Sequence, residues 1–522
     1  MSQTYLRSRA VSSKRAAVVC AVCCAVASLT IEFAEPREAI SSQASAAKTV
    51  TKFSPRLVDN EAEVLALKPY VASAYEPPEP LGQFGYDEYR DIRFRNDHAI
   101  WRSGDDDGLS VQFFLASFIH RDRVEIEIVE DGIAKPIEAH RGMFDFGASD
   151  ARVPQSGEFA FSGFRFHGPL NRHGVADEVL AFNGASYFRA LGRNHSYGLS
   201  ARGLALNTIG PPAEEFPRFV KFWLEKPAGV SRFTIHALLD SPSVAGAYHF
   251  VVSPGAPTEI DLTAVLFPRT ILDNVGLAPL TSMFLFDSRN HDRFNDFRAA
   301  VHDSDGLAIY YASGERLWRP LLNPSSLQAS GFAGSAVRGF GLVQRARKYE
   351  DYYDLEAHYQ KRPSAWIEPQ GDWGEGSVEL LELPIGAEWG DNIVAFWRPK
   401  AALTPWQPFR FAYRSFWGDE VPRPARRIIQ TRKGVENGKL IFAIDHEHPS
   451  RRGAATAKPK VSASAGKVSE PIVQTDPNTD SMRSFFTFDP GDATVADLRL
   501  TLTDADGLPD ATSETWTYRW VK

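Results

Sequence analysis

Cysteine is almost missing from this chain. Its 522 residues hold three, Cys20, Cys23 and Cys24, all inside the first 27 positions. That stretch reads as a targeting segment. Arg7, Arg9, Lys14 and Arg15 form a basic start, Ala16–Thr30 is apolar and small, and Ala25-Val26-Ala27 fits a small-x-small cleavage site. With residues 1–27 removed no thiol is left, which excludes a disulfide, a thiolate metal site and a cysteine nucleophile. Cys20-x-x-Cys23 is then neither a redox nor a zinc motif. Long apolar runs are missing too. Beyond the first 30 residues nothing approaches the roughly 18 uninterrupted apolar positions of a membrane helix. A large cysteine-free secreted chain suits a bacterial periplasm, with a big core in place of disulfides.

A basic excess is also lacking. Without residues 1–27 the chain has 54 Lys and Arg against 65 Asp and Glu, a formal charge of −11. An acidic chain does not favour nucleic acid or anionic lipid. The one basic patch, Arg423, Arg426, Arg427, Arg432 and Lys433, reads first as a solvated strand and loop rather than an anion site.

What the chain has in abundance is aromatic residues, 35 Phe, 16 Tyr and 11 Trp, which excludes intrinsic disorder. Residues 28–80 read as a loosely attached leader with one short helix at Asn60–Leu67. From about Phe84 onward, short runs rich in Phe, Val, Ile and Tyr alternate with Gly, Pro, Asn and Asp, as in Val111–Phe118, Val179–Leu191, Glu259–Phe267 and Asn392–Trp397. The only helix expected among them is Tyr349–Tyr359, stopped by Arg362-Pro363. Such frequent strands without intervening helices predict an all-β fold, a large N-terminal β-sandwich over 81–400. A break at Arg398–Gln407 precedes a second set of strands over 408–522, beginning with alternating Phe409, Phe411, Tyr413 and Trp417. Its length is that of an immunoglobulin-like sandwich.

Several chemical signatures are absent. Gly198–Gly203 misses the G-x-S-x-G nucleophile elbow by one residue, and no P-loop, dinucleotide fingerprint or H-E-x-x-H occurs. His446-Glu447-His448 lacks a visible third ligand. Asp303-Ser304-Asp305-Gly306 starts like a calcium loop but has no distal Glu. No metal or organic cofactor is implied. What remains is acidic and aromatic: Asp303, Asp305, Glu315, Asp372 and Asp391 near Trp318, Tyr359, Trp366, Trp373, Trp389 and Trp397. Carboxylates supply acid and base for glycosidic cleavage, and aromatic faces pack against sugar C–H groups. On composition alone core and turn roles are the better explanation, since aromatics are usually core and Asp usually forms turns.

Longer motifs narrow the choice. Phe84-Gly85-Tyr86-Asp87-Glu88-Tyr89-Arg90-Asp91-Ile92-Arg93-Phe94 opens an ordered series of blocks. It continues through Asn183-Gly184-Ala185-Ser186-Tyr187-Phe188-Arg189-Ala190, Tyr197–Ala205, His302-Asp303-Ser304-Asp305-Gly306-Leu307 and Leu317-Trp318-Arg319-Pro320-Leu321 to Asp391-Asn392-Ile393-Val394-Ala395-Phe396-Trp397. The series resembles the bacterial periplasmic glucan biosynthesis family, the G and D proteins, closely over about 84–400 and loosely beyond. The resemblance implies a mutarotase-like sandwich joined to an immunoglobulin-like one, and a role with β-1,2-linked glucan. Some members are inverting endo-hydrolases. Their general acid maps onto Asp391 and their general base onto Asp303, the base reaching the attacking water through a relay, with Tyr359 in support. Glucan contacts fall to Trp318, Arg319, Glu315, Tyr187, Arg189, Arg202 and Trp373. The partners implied are the β-glucan itself and the inner-membrane glucan synthesis machinery. A glucan-binding or assembly factor without turnover is the other reading. One block departs from the family: Ala312-Ser313-Gly314-Glu315-Arg316 stands where Gly-Asn-Gly-Glu-Trp is usual.

Overall fold

Alternation of large apolar and polar side chains dictates the strands. In Phe409–Gly418, Phe411, Tyr413 and Trp417 turn into the core while Arg410 and Arg414 turn out, Arg414 pairing with Asp261 of the neighbouring strand. The computed structural model describes residues 51–102, 108–420, 422, 426–447, 458–477, 481–503 and 513–522; the targeting segment 1–27 and its cysteines lie outside them. The regular structure of the described chain is mostly strand, and residues 48–522 form one compact unit. Among the described residues no helix is long and apolar enough to cross a membrane.

Two sheets face each other. A 15-stranded sheet runs from Thr51–Lys52 through Arg218–Glu225, Phe233–Asp240, Val244–Ser253, Thr258–Pro268, Phe409–Gly418, Ser364–Gln370 and Gly306–Tyr311 to Arg316–Pro320 and beyond. A 10-stranded sheet includes Glu375–Glu382, Ile393–Pro399, Val275–Ser282, Ser200–Arg202, Tyr187–Ala190, Asp177–Asn183 and Phe161–Gly168. Phenylalanines interlock between them: Phe166 stacks on Phe233 with centroids 4.1 Å apart, and Phe164 meets Phe222 edge-on at 4.8 Å. Each such pair adds about 0.5–1.5 kcal/mol beyond its burial. The described residues hold no cysteine, and this aromatic layer is part of the core that joins the two sheets.

At its far end the large sheet continues into the last part of the chain. Arg316–Pro320 pairs in parallel with Thr515–Val521, Leu317 opposite Thr515 and Trp318 opposite Trp516. There the sheet packs on a five-stranded one, and Phe442, Phe486 and Phe488 meet Trp516, Tyr518, Leu498 and Leu500 in a second core. The junction is ionic as well as apolar. Arg345 is buried, its guanidinium 3.5 Å from the Trp318 ring centroid, and it donates to both oxygens of the fully buried Glu514 at 2.8 and 2.7 Å. It also donates to Glu420 and to the carbonyl of Ile428.

Four expectations need correction. Phe409–Gly418, expected to open the second domain, is an inner strand of the large sheet, between Thr258–Pro268 and Ser364–Gln370, because both its neighbours offer matching apolar faces. The leader is not loose from residue 51 on. The helix spans Pro55–Ala66, and Val58 and Ala62, one turn apart, are buried against Phe53, Trp223, Leu238 and Val265. Tyr349–Tyr359 is not a helix but two short 3-10 turns. Asp354 takes the amides of Glu356 and Ala357, while Tyr353 and His358 adopt positive φ. Val179–Leu191 is two strands, folded back at Asn183-Gly184, where Gly184 has φ +76°.

Replacing Arg345 by Met strands two carboxylates at the junction. The expected cost is about 3–5 kcal/mol, the usual penalty for an uncompensated buried charge. It should appear as a lower urea midpoint with an unchanged denaturant slope.

Candidate active site

Asp303 and Asp391 are 88 positions apart in sequence, yet one short segment holds both. Asp303 follows the strand Val301–His302, whose partner is Phe284–Phe286, and its amide donates to the Met283 carbonyl at 2.8 Å. Asp391 precedes the strand Ile393–Pro399. Its neighbour Asn392 is locked to the same segment, accepting from the Phe284 amide at 2.8 Å and donating to the Phe284 carbonyl at 3.0 Å. Two residues, Met283 and Phe284, therefore fix both carboxylates. Underneath, His302 stacks on Phe284, and the side chain of Gln344 bonds to the ring and carbonyl of His302 and to the carbonyl of Tyr359.

The two carboxylates differ in setting. Asp303 is only 8% exposed; its Oδ1 accepts no hydrogen bond among the described residues and lies 3.5 Å from Arg362 Nε. Burial pushes its carboxyl up to about 6, with the negative charge of Asp391 in the same direction and Arg362 opposing. Asp391 opens onto the solvent of a cleft but is walled by protein on its other sides. Burial raises its pKa too, against the pull of Arg189 and Arg202. Both groups are thus held nearer neutrality than an ordinary aspartate. Beside Asp303, the Tyr359 hydroxyl donates to Glu388 Oε2 at 2.8 Å, and Arg298 donates to the same oxygen at 2.7 Å and to Asp354 at 3.0 Å. Burial and the nearby Glu388 and Asp303 hold the Tyr359 proton on.

The cleft, about 590 Å³, lies on the outer face of the 10-stranded sheet. Tyr187, Arg189 and Asp391 line it, with Asn183, Glu178 and His120. Strand alternation puts them there: in Tyr187–Ala190, Phe188 and Ala190 are buried while Tyr187 and Arg189 face out. Arg202 lies opposite Tyr187 in the next strand, its guanidinium 4.9 Å from the ring centroid, anchored on Thr281 at 3.0 Å and Glu214 at 2.7 Å. Asp303, Asp391, Tyr359, Tyr187, Arg189 and Arg202 are therefore brought together.

Four expected contacts are not. Trp318 is buried under Arg345 in the second core, since its strand pairs with the last strand rather than bordering the cleft. Arg319 is buried with Glu382 at 2.9 Å. Glu315 pairs with Arg499 on the surface. Trp373 packs on Trp397, Phe411 and Tyr413 and donates to the Ala412 carbonyl. The departing residue Arg316 stacks on Tyr310, beside that same junction. Asp372 accepts the Gly374 amide at 2.8 Å, a turn-forming role, and Asp305 takes the amide of Ala346 at 2.8 Å. Residues that sequence reasoning passed over are Glu388, Arg298 and Asp354. The Glu388-Trp389 pair was the available signal, since the indole is 89% exposed beside a carboxylate turned inward onto Tyr359. Among the described residues no group of three or more His, Asp or Glu is placed to hold a metal ion.

This is an all-β protein with a cleft lined by one raised carboxylate, Asp391, with Tyr187 and Arg189, and with a second raised carboxylate, Asp303, buried near enough to feel the charge of the first. The chain belongs to the family described as "Periplasmic glucan biosynthesis protein, MdoG", whose model matches residues 53–520. It is 44% identical over 496 residues to "Glucans biosynthesis protein G" of Vibrio cholerae serotype O1, covering 92% of this chain and 90% of that one. The protein of the same name from Shewanella sp. (strain MR-4) is 44% identical over 470 residues, 88% of this chain and 85% of that one. Among solved structures, an α-galactosidase from Geobacillus stearothermophilus in complex with stachyose aligns with a TM-score of 0.25 and 13% identity over 61% of this chain and 40% of that one, too slight to carry an argument.

The setting of Asp303 has a measurable consequence for stability. Its pKa is raised on folding, from 3.8 to about 6, so its protonated form is the one the fold prefers. Its contribution is most favourable below pH 4 and is lost as pH rises towards 6, up to a ceiling of about 3 kcal/mol. Asp303→Asn should therefore stabilise the protein at pH 7.5 by about 1–3 kcal/mol and flatten the pH dependence between 4 and 6. Urea titrations across that range test it; a destabilised Asn variant at neutral pH contradicts it.

Proposed function

We propose that this protein is a periplasmic inverting endo-β-1,2-glucanase that trims or remodels the backbone of the glucan its family serves to make. The observation that carries the reading is the anchoring of Asp303 and Asp391 to Met283-Phe284, beside a cleft lined by Tyr187 and Arg189. In single displacement the glycosidic C–O bond breaks as a water oxygen attacks the anomeric carbon from the opposite face. Asp391 gives its proton to the leaving oxygen. Glucan filling the cleft removes water and pushes the Asp391 carboxyl further up, the state an acid needs. Asp303 is ionised above about pH 6 and takes the proton released by the water through a relay, for which Tyr359, whose hydroxyl feels the Asp303 charge, is the candidate. Tyr187, backed by Arg202, offers a flat face to a sugar ring, and Arg189 offers donors to its hydroxyls. The targeting segment delivers the chain to the periplasm, where the partners in this reading are the glucan and the inner-membrane glucan synthesis machinery. The larger sandwich is of the mutarotase-like kind and the last strands form the immunoglobulin-like one.

Purified protein incubated with linear β-1,2-glucan should release new reducing ends. Asp391→Asn and Asp303→Asn should each lose about 10²–10⁴-fold in turnover, the usual worth of a positioned acid or base, while still binding glucan. Asp372→Asn, a turn residue away from the cleft, should stay near wild type. Glucan binding by the wild type with no new reducing ends would favour the assembly-factor reading instead.

The pH profile supplies a second check. Turnover should fall as pH drops through about 6, where Asp303 gains its proton. Arg362→Gln removes the cation that favours the carboxylate, so that limb should move to higher pH. A limb unmoved by Arg362→Gln would take Asp303 out of the base role.

A further inference from the structure

Of the basic patch, Arg423 lies outside the described residues, and two of the others are neutralised by carboxylates. Arg427 pairs with Glu420 and Glu447, and Arg432 with Asp445. Lys433 stands apart. It lines a separate cavity of about 300 Å³, where the Asp287–Arg293 loop, the turn at Leu322–Ser325 and the final strand meet. Arg289, Arg293 and Arg519 line it as well, and Asp292 is the sole carboxylate among the lining residues. Arg293 and Lys433 have no carboxylate within 4.0 Å among the described residues; Arg293 donates instead to the Asn323 carbonyl. Lys433 sits near enough to Arg289 and Arg293 to feel their repulsion, with Asp287 and Asp292 opposing it.

The decisive group is Arg289. It is only 5% exposed, its Nε is held by Asp287 at 2.7 Å and its Nη2 by the Leu321 carbonyl at 2.9 Å. Its Nη1 is buried with no partner among the described residues. Leaving a guanidinium donor buried and unmatched is costly, and a bound acceptor is the usual remedy. Arg289 and Arg293 on the loop and Lys433 on the strand Ile428–Glu436 would be satisfied together by a tetrahedral oxyanion, whereas a carboxylate presents only two oxygens. Tyr518 and Trp520 supply an apolar wall beside them.

We infer that this cavity binds a phosphate group, free or carried on a sugar, at a site distinct from the proposed glucan cleft. The inference does not depend on the glucanase reading.

Isothermal titration of the full chain at fixed ionic strength, with inorganic phosphate in one arm and a hexose phosphate in the other, tests it. The wild type should bind at least one probe, and Lys433→Met should weaken that binding at least tenfold while Lys433→Arg retains it. Arg293→Ala should weaken it independently. Lys433 holds no carboxylate, so Lys433→Met should melt as the wild type does without phosphate; Arg293→Ala also loses its bond to the Asn323 carbonyl, so its phosphate affinity is read at a temperature below its own melting transition. Tighter binding of the hexose phosphate assigns a sugar-borne ligand; equal affinities assign the phosphate alone. No binding of either probe up to about 10 mM at roughly 0.1 M salt, where surface charge is largely screened, overturns the site. So does an affinity that Lys433→Met and Arg293→Ala leave unchanged.

Discussion

One buried cation governs how this chain is assembled. Arg345 leaves the end of the Val337–Val343 strand, lies flat on Trp318 and carries its charge to Glu514, the residue before the final strand. Glu514 in turn accepts the Ile428 amide at 2.7 Å. Arg345, Trp318 and Glu514 thus meet where the large sheet runs on from Arg316–Pro320 into Thr515–Val521 and where the second core begins. Taking a guanidinium and two carboxylates out of water is expensive, so the arrangement tolerates no partial version of itself. What it supplies is register: Trp318 opposite Trp516, with both indoles in one core.

The cleft obeys a related rule at smaller scale. Its carboxylates are not held by ion pairs of comparable quality. Asp303 has Arg362 at 3.5 Å and one oxygen unmatched, whereas Glu514 and Glu382, equally buried, are fully paired. The difference separates charges that build from charges left available for chemistry. Burial raises the carboxyls of Glu514 and Glu382 as well, against the pull of Arg345 and Arg319; what sets Asp303 apart is the oxygen left without a donor, free to exchange a proton near neutral pH. The backbone around Asp303 and Asp391 is correspondingly over-determined, with Asn392, Gln344 and His302 all spent on positioning.

Aromatic residues show where one-dimensional reasoning works and where it fails. Every Trp near an acid in sequence is a plausible sugar platform. In three dimensions Trp318 and Trp397 are core and Trp373 is largely so, while Tyr187, less conspicuous in sequence, faces the cleft. Proximity along a strand says little about the partner across it. Trp318 was claimed by Arg345, which lies 27 positions downstream and carries no motif of its own.

By itself the sequence determined the all-β character, the positions of most strands and, through ordered motif blocks, the family. Those features rest on local causes: period-two alternation, turn residues, and side chains whose chemistry is tied to their immediate neighbours. Only the tertiary structure decided that Phe409–Gly418 belongs inside the large sheet and that Pro55–Ala66 is sealed onto its outer surface. It likewise decided that Glu388 turns onto Tyr359 and that Arg289 is left with an unmatched donor. Each of these depends on which distant strand or loop arrives alongside, a choice made by summed burial and hydrogen bonding over the whole chain, and no local pattern of residues encodes it.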